Sequence, residues 1–234
     1  MKRVLKWIGL SALALVAAVT LTAGVFWFTV PPTPTLSAEF EAAAPDSTVS
    51  EPALRAELLN MLALDQKVRE SALDASTPDM ASLGGVWRVL QTGVQFWRVD
   101  GPNTERLKEI VAERGWPTRT EVGADGRRAV FFLVQHADGD LAFQKTALAP
   151  MREAYEAGDA TGGQIALLTD RILKAEGQNQ LYGSQLHTEP GKPAMLWPIE
   201  DEANVDARRA KLGMTPLAEY LAMVCAESGV CVER

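Results

Sequence analysis

The chain has 234 residues, 47% hydrophobic, 7% aromatic and 23% charged, with 18 Gly, 13 Pro and two Cys, and 23 bases against 30 acids leave it at −7. These proportions exclude a collagen-like chain, a disulfide-rich miniprotein and a mostly disordered acidic tail. The acidic balance argues against a nucleic-acid partner, whose binding rests on neutralising phosphates with clustered Lys and Arg.

Residues 8–30 hold no ionisable side chain. As a helix this run spans roughly 34 Å, enough for a hydrocarbon core of ~30 Å. Trp7 lies at one end and Phe26, Trp27 and Phe28 at the other, where amphipathic rings favour headgroups. Lys2, Arg3 and Lys6 precede the run, and no base follows before Arg55. The positive-inside rule then keeps the N-terminus cytoplasmic and exports the rest. The alternative is a cleaved secretory signal, but Leu21-Thr22-Ala23 and Thr22-Ala23-Gly24 make poor cleavage sites. The expectation is a single-pass anchor in the bacterial inner membrane, with residues 1–30 as basic start and transmembrane helix. Residues 31–51, rich in Pro and Ala with four acids, read as a tether. Residues 52–234 read as an exported, periplasmic domain.

Within that domain, Leu54, Leu58, Met61, Leu62 and Val68 recur at helical spacing from Pro52 to about Ala72. Residues 83–98 carry a weaker stripe of Trp87, Leu90, Val94 and Trp97. Asn103 suits the cap of a separate short helix with Leu107, Ile110 and Val111, which Gly115 and Pro117 stop. The run Val130-Phe131-Phe132-Leu133-Val134 could be strand or helix by length; residues 127–136 are read as helix, because no neighbouring segment looks like a strand partner. Asp138-Gly139-Asp140 is a turn opening a helix over about 141–157, and another follows over about 163–176. Residues 181–186 and 194–197 look like a β-hairpin or two extended segments, and two short helices near 203–212 and 216–227 close the chain. The expected fold is mainly α: a compact multi-helix domain with a small β-hairpin near 180–199, preceded by one N-terminal transmembrane helix.

Polar residues on otherwise apolar elements are the candidates for chemistry. Gln135 and His136 end an all-apolar helix, where a buried polar group must find a partner or line a cleft. Asp170 and Arg171 flank another apolar rod, and Gln180, Tyr182, Ser184, Gln185 and His187 fall within eight residues. Each also has a plainer reading: an ion pair for Asp170 and Arg171, a helix-end histidine for His136, turn and cap roles for Asp138 and Asp140. A metal site would need His136, His187 and a carboxylate such as Asp138 or Asp170, without a ligand-spacing motif, so neither metal nor other cofactor is expected. A Ser184/His136/Asp170 hydrolase has the residue types, but Ser184 does not sit in a nucleophile elbow. Cys225 and Cys231 straddle Ser228-Gly229 and can pair in an oxidising compartment; two free buried thiols are the alternative.

Several short motifs resemble a known family. Gly115-Trp116-Pro117-Thr118-Arg119, Val134-Gln135-His136-Ala137-Asp138 with Asp140, Phe143 and Gln144, and Leu168-Thr169-Asp170-Arg171 look like the bacterial domain-of-unknown-function family 6624. So do Tyr182-Gly183-Ser184-Gln185, Pro198-Ile199-Glu200-Asp201, Val205-Asp206 with Arg208-Arg209, and Glu219-Tyr220. The resemblance covers about residues 100–222. That family is uncharacterised, so the resemblance implies no reaction. It does imply that the out-of-place polar residues belong to recognisable motifs, which favours one shared pocket.

The resulting expectation is a small polar or anionic ligand bound by Gln135, His136, Asp170, Arg171, Gln180, Tyr182 and Gln185. The alternatives are a hydrolase-like enzyme with His136 and Asp170 as catalytic groups, and an envelope interaction module in which these polar residues form a satisfied core network.

Overall fold

In the computed structural model the described residues are 48–74, 82–187 and 194–232. The apolar run at 8–30 lies outside them; among the described residues no helix is long and apolar enough to cross a membrane. Seven α-helices are described: α1 Pro52–Asp74, α2 Leu83–Arg114, α3 Arg119–Gln135, α4 Leu141–Glu156, α5 Gly162–Ala175, α6 Val205–Lys211 and α7 Leu217–Ser228. Two-residue strands β1 Leu186–His187 and β2 Met195–Leu196 pair antiparallel, Leu186 opposite Leu196. The molecule is mainly helical with a small hairpin, as its periodicity implies.

Contacts divide the described chain into two compact units, residues 68–99 and residues 48–67 with 100–232. In the second, Leu58, Leu107, Ile110, Val122, Val130, Met151, Ile165 and Leu168 are essentially inaccessible and form one core. The run 130–134 is helical, and Val130, Phe131, Leu133 and Val134 are buried. A smaller apolar cluster of Val205, Leu217 and Leu221 gathers Leu186, Leu196, Ile199 and Tyr220 around it.

Three elements differ from the expectation. The separate helix at Asn103 does not exist. α2 runs through Gly101-Pro102, Thr104 Oγ1 bonding back to Asp100 O at 2.7 Å and Asn103 Nδ2 donating to Met61 O at 3.3 Å. The helix expected from residue 127 starts at Arg119. There Thr118 and Glu121 form a capping box, and Gly123 at φ +73° kinks the segment before its apolar half. The hairpin is shorter than expected, because Leu181, Tyr182 and Ser184 give their N–H groups to a side chain and not to a ladder, whereas Gln185 O does accept across it from Trp197 N at 3.0 Å.

α5 opens on Thr161, whose hydroxyl accepts from Gln164 N. Its first residue, Gly162, lies against the end of α6: a Cβ there would stand 1.9 Å from Leu212 O. Cys225 and Cys231 stand at disulfide distance, Cα to Cα 4.3 Å, across the Gly229 terminus of α7.

Candidate functional site

α3 ends at His136, whose backbone N–H still bonds to Phe132 O at 2.9 Å. Two carbonyls of that last turn also receive Gln144, itself buried, whose Nε2 donates to Val134 O and Gln135 O at 3.2 Å. Asp140 then caps α4 by accepting from Phe143 N at 2.9 Å. The turn is thereby tied on both sides, and the His136 ring is carried at a fixed helix end.

That ring meets a carboxylate. His136 Nδ1 lies 2.8 Å from Asp65 Oδ2, and Gln66 Nε2 reaches the same oxygen at 2.8 Å. The Asp65 side chain is 1% exposed and the His136 side chain 17%. A buried acceptor on Nδ1 selects the Nδ1–H tautomer of the neutral ring and fixes its orientation. Asp65 was not among the sequence candidates, although it left a signal. In the stripe Leu54, Leu58, Met61, Val68 it occupies the apolar position between Met61 and Val68.

Asp170 is engaged differently. Fully buried on α5, its carboxylate accepts Leu181 N at 2.8 Å, Tyr182 N at 3.1 and 3.2 Å, Ser184 N at 3.0 Å and Ser184 Oγ at 2.9 Å. Burial pushes its pKa above the ordinary 3.8, while the Ser184, Leu181 and Tyr182 donors pull the other way. The same loop is gripped through its carbonyls: Arg208 Nε donates to Leu181 O at 2.8 Å and Arg209 Nη1 to Tyr182 O at 2.7 Å. Arg209 is 1% exposed and stacks 4.8 Å over Tyr220. Gln180, wholly buried, closes the loop. Its Oε1 accepts Gln185 N at 2.7 Å, and its Nε2 donates to Gln185 O and Trp197 O at 3.0 and 2.7 Å.

Arg171, next to Asp170 in sequence, turns to another partner and holds Asp138 through both Nε and Nη2, the Nε bond being 2.6 Å. Gln144 Nε2 also touches that carboxylate at 3.3 Å. An anionic ligand on Arg171 would therefore compete with Asp138. One turn on, Lys174 donates to Leu186 O at 2.7 Å, and burial with the adjacent Arg171 holds its pKa below 10.5.

The seven expected pocket residues thus fall into sets. Asp170, Gln180, Gln185 and the Tyr182 backbone join through one loop; Arg171 pairs with Asp138; His136 pairs with Asp65. Gln135 is buried, and its Oε1 has no hydrogen-bond partner among the described residues. His187 lies in β1 opposite Met195. Among the described residues no three His, Cys, Asp or Glu side chains gather as a metal-holding group.

What these features define is a helical domain with an aspartate–histidine pair at a helix end and a carboxylate-clasped loop. A model of a family of unknown function (DUF6624) matches residues 52–233, and the chain belongs to that family. The match begins well before the motifs that first suggested it and takes in Asp65. No curated protein and no solved structure matches the chain.

Proposed function

We propose that this is a membrane-anchored, extracytoplasmic domain that binds a small polar molecule at the end of α3 and exchanges a proton with it through His136. The observation that carries the reading is the 2.8 Å contact between a buried Asp65 and a partly exposed His136. This arrangement orients an imidazole for general acid–base work near neutral pH. Next to His136 in the chain, Gln135 Oε1 is a buried acceptor without a hydrogen-bond partner among the described residues, which suits a ligand bearing a hydroxyl or amine donor. Arg171, paired with Asp138, adds a cation that an anionic group could engage by displacing that carboxylate.

A second role is favoured for Asp170, Gln180 and Gln185. Asp170 has its acceptor capacity taken by loop donors, and Gln180 bonds to backbone at every contact above. They hold the loop that β1 continues, and the reacting groups are sought elsewhere.

Thermal melting of the full chain against a panel of small polar metabolites tests the proposal. At least one compound is expected to raise the melting temperature of the wild type and of His187→Gln but not of His136→Gln or Asp65→Asn. Stabilisation that persists in His136→Gln for every hit would refute the site. Turnover of a hit, lost in both site variants, would make the domain an enzyme; binding without turnover would leave it a receptor.

A further inference from the structure

The first part of α2 is built inside out. At 100° per residue, Val89, Gly93, Val86, Trp97, Leu90 and Leu83 fall within an arc of about 120°. That arc is the exposed one: Leu83 is 90% accessible, Trp97 70%, Leu90 52%, Val89 41% and Val86 38%. Phe96 borders it, with the Arg69 guanidinium 5.1 Å over its ring. The opposite side carries the exposed Arg88 with Gln91, Gln95 and Thr92, together with Val99, which is 4% exposed. A helix of a water-soluble surface shows the reverse, apolar stripe inward and polar face outward.

Charge says what covers this face. Beyond residue 30 the chain carries 20 bases against 30 acids, yet residues 80–99 hold Arg88 and Arg98 and no acid. Aliphatic and Trp side chains on one face, with Arg88 and Arg98 on the polar side and acids excluded, are the marks of a helix lying in a membrane interface. A protein partner for so acidic a domain would not require an acid-free patch, whereas an anionic lipid headgroup does. The chain also carries its own route to a bilayer in the uncharged run at 8–30.

We infer that residues 83–97 form an interfacial helix that lays Leu83, Val86, Leu90 and Trp97 into the outer face of an anionic phospholipid bilayer. The inference rests on the anchor reading for proximity to the bilayer, not for the face itself. A single interfacial signal binds reversibly, and two together hold stably.

The experiment uses the full chain in vesicles of mixed phosphatidylcholine and phosphatidylglycerol, with Cys225 and Cys231 oxidised. Bimane is placed at Leu90→Cys, at Trp97→Cys and, as an exposed control on the same helix, at Glu113→Cys. Doxyl-labelled lipids are expected to quench the labels at 90 and 97 at least about twofold more than the label at 113, with iodide showing the opposite order. Equal iodide quenching at all three sites overturns the inference, as does protection from iodide without lipid quenching, which would mean that protein covers the face. Alkaline carbonate extraction of the same chain reads the anchor separately. If the chain is released but its labels are lipid-quenched when returned to vesicles, the anchor fails and the interfacial helix stands. If the chain is retained but its labels stay open to iodide, the anchor stands and the interfacial helix fails.

Discussion

Replacing Asp170 by Ala removes the acceptor for three backbone N–H groups and the Ser184 hydroxyl. Each buried donor left without a partner costs about 1–3 kcal/mol. Leu181 and Tyr182 are only half-buried, so water can recover part of their share, whereas Ser184 is buried. Arg209, buried within reach of the Asp170 charge, also loses a neighbouring anion. The sum is about 3–5 kcal/mol, a large part of the ~5–15 kcal/mol that holds a domain together. Asp170→Asn should cost less, about 1–3 kcal/mol, since its carbonyl still serves Leu181 and Tyr182 while its amide faces the Ser184 N–H, donor against donor. Urea unfolding followed by circular dichroism at neutral pH measures both, and Ala should bring the midpoint down by about 1–3 M. The pH dependence is a second readout. Because burial raises the Asp170 pKa above 3.8 in the folded state, its contribution is greatest below 3.8. It is lost as pH rises through the window up to the raised value. Asp170→Asn should abolish that descending slope. An Ala variant losing less than about 1 kcal/mol would refute the claim that this carboxylate holds the loop.

Two further substitutions test local geometry. Gly162→Ala would put a Cβ 1.9 Å from Leu212 O, so α6 must shift, at a cost of about 2–3 kcal/mol. Gly163→Ala, whose Cβ would meet nothing nearer than Thr161 Oγ1 at 3.8 Å, should be neutral or stabilising by up to about 1 kcal/mol. Equal melting temperatures for the two would show that the close approach is absent. Asp140, lowered by its Lys108 partner and by the Phe143 N–H it caps, contributes stability present above 3.8 and lost as pH falls through its lowered value. Asp140→Asn keeps a good cap and should flatten the acid limb of the unfolding curve; an unchanged limb would remove Asp140 from it.

The helices were legible where periodicity and caps agreed. The run 130–134 could be read as helix because no strand partner stood near it, and the fold is mainly helical as expected. Asn103 suited the cap of a separate helix, a break that α2 does not make: Thr104 Oγ1 bonds back to Asp100 O and Asn103 reaches to Met61 O. Residues 181–185 looked like strand for an equally local reason. Asp170, eleven or more residues earlier, takes the Leu181, Tyr182 and Ser184 N–H groups that a ladder would need, and Arg208 and Arg209 take the Leu181 and Tyr182 carbonyls. Pairing therefore starts only at Gln185 O, which accepts Trp197 N at 3.0 Å. No local window contains that competition. Asp65 is the instructive omission: an acid set in an apolar stripe cannot stay buried unless something answers it, and its answer lies 71 residues away on His136.

The buried polar residues sort themselves by what they face. Asp170, Gln180, Gln144 and Arg209 bond largely to peptide groups, which neither titrate near neutrality nor leave. A side chain spent on them fixes the chain, and its loss is read in stability. Asp65 faces an imidazole, a side chain that keeps part of its surface in solvent. The same desolvation that makes Asp170 a scaffold therefore makes Asp65 an orienting group. Stability should fall most with the first, and any proton-dependent function with the second. A family of motifs that looked from the sequence like one pocket divides into a scaffold built around the 181–185 loop and a separate helix end where His136 meets Asp65.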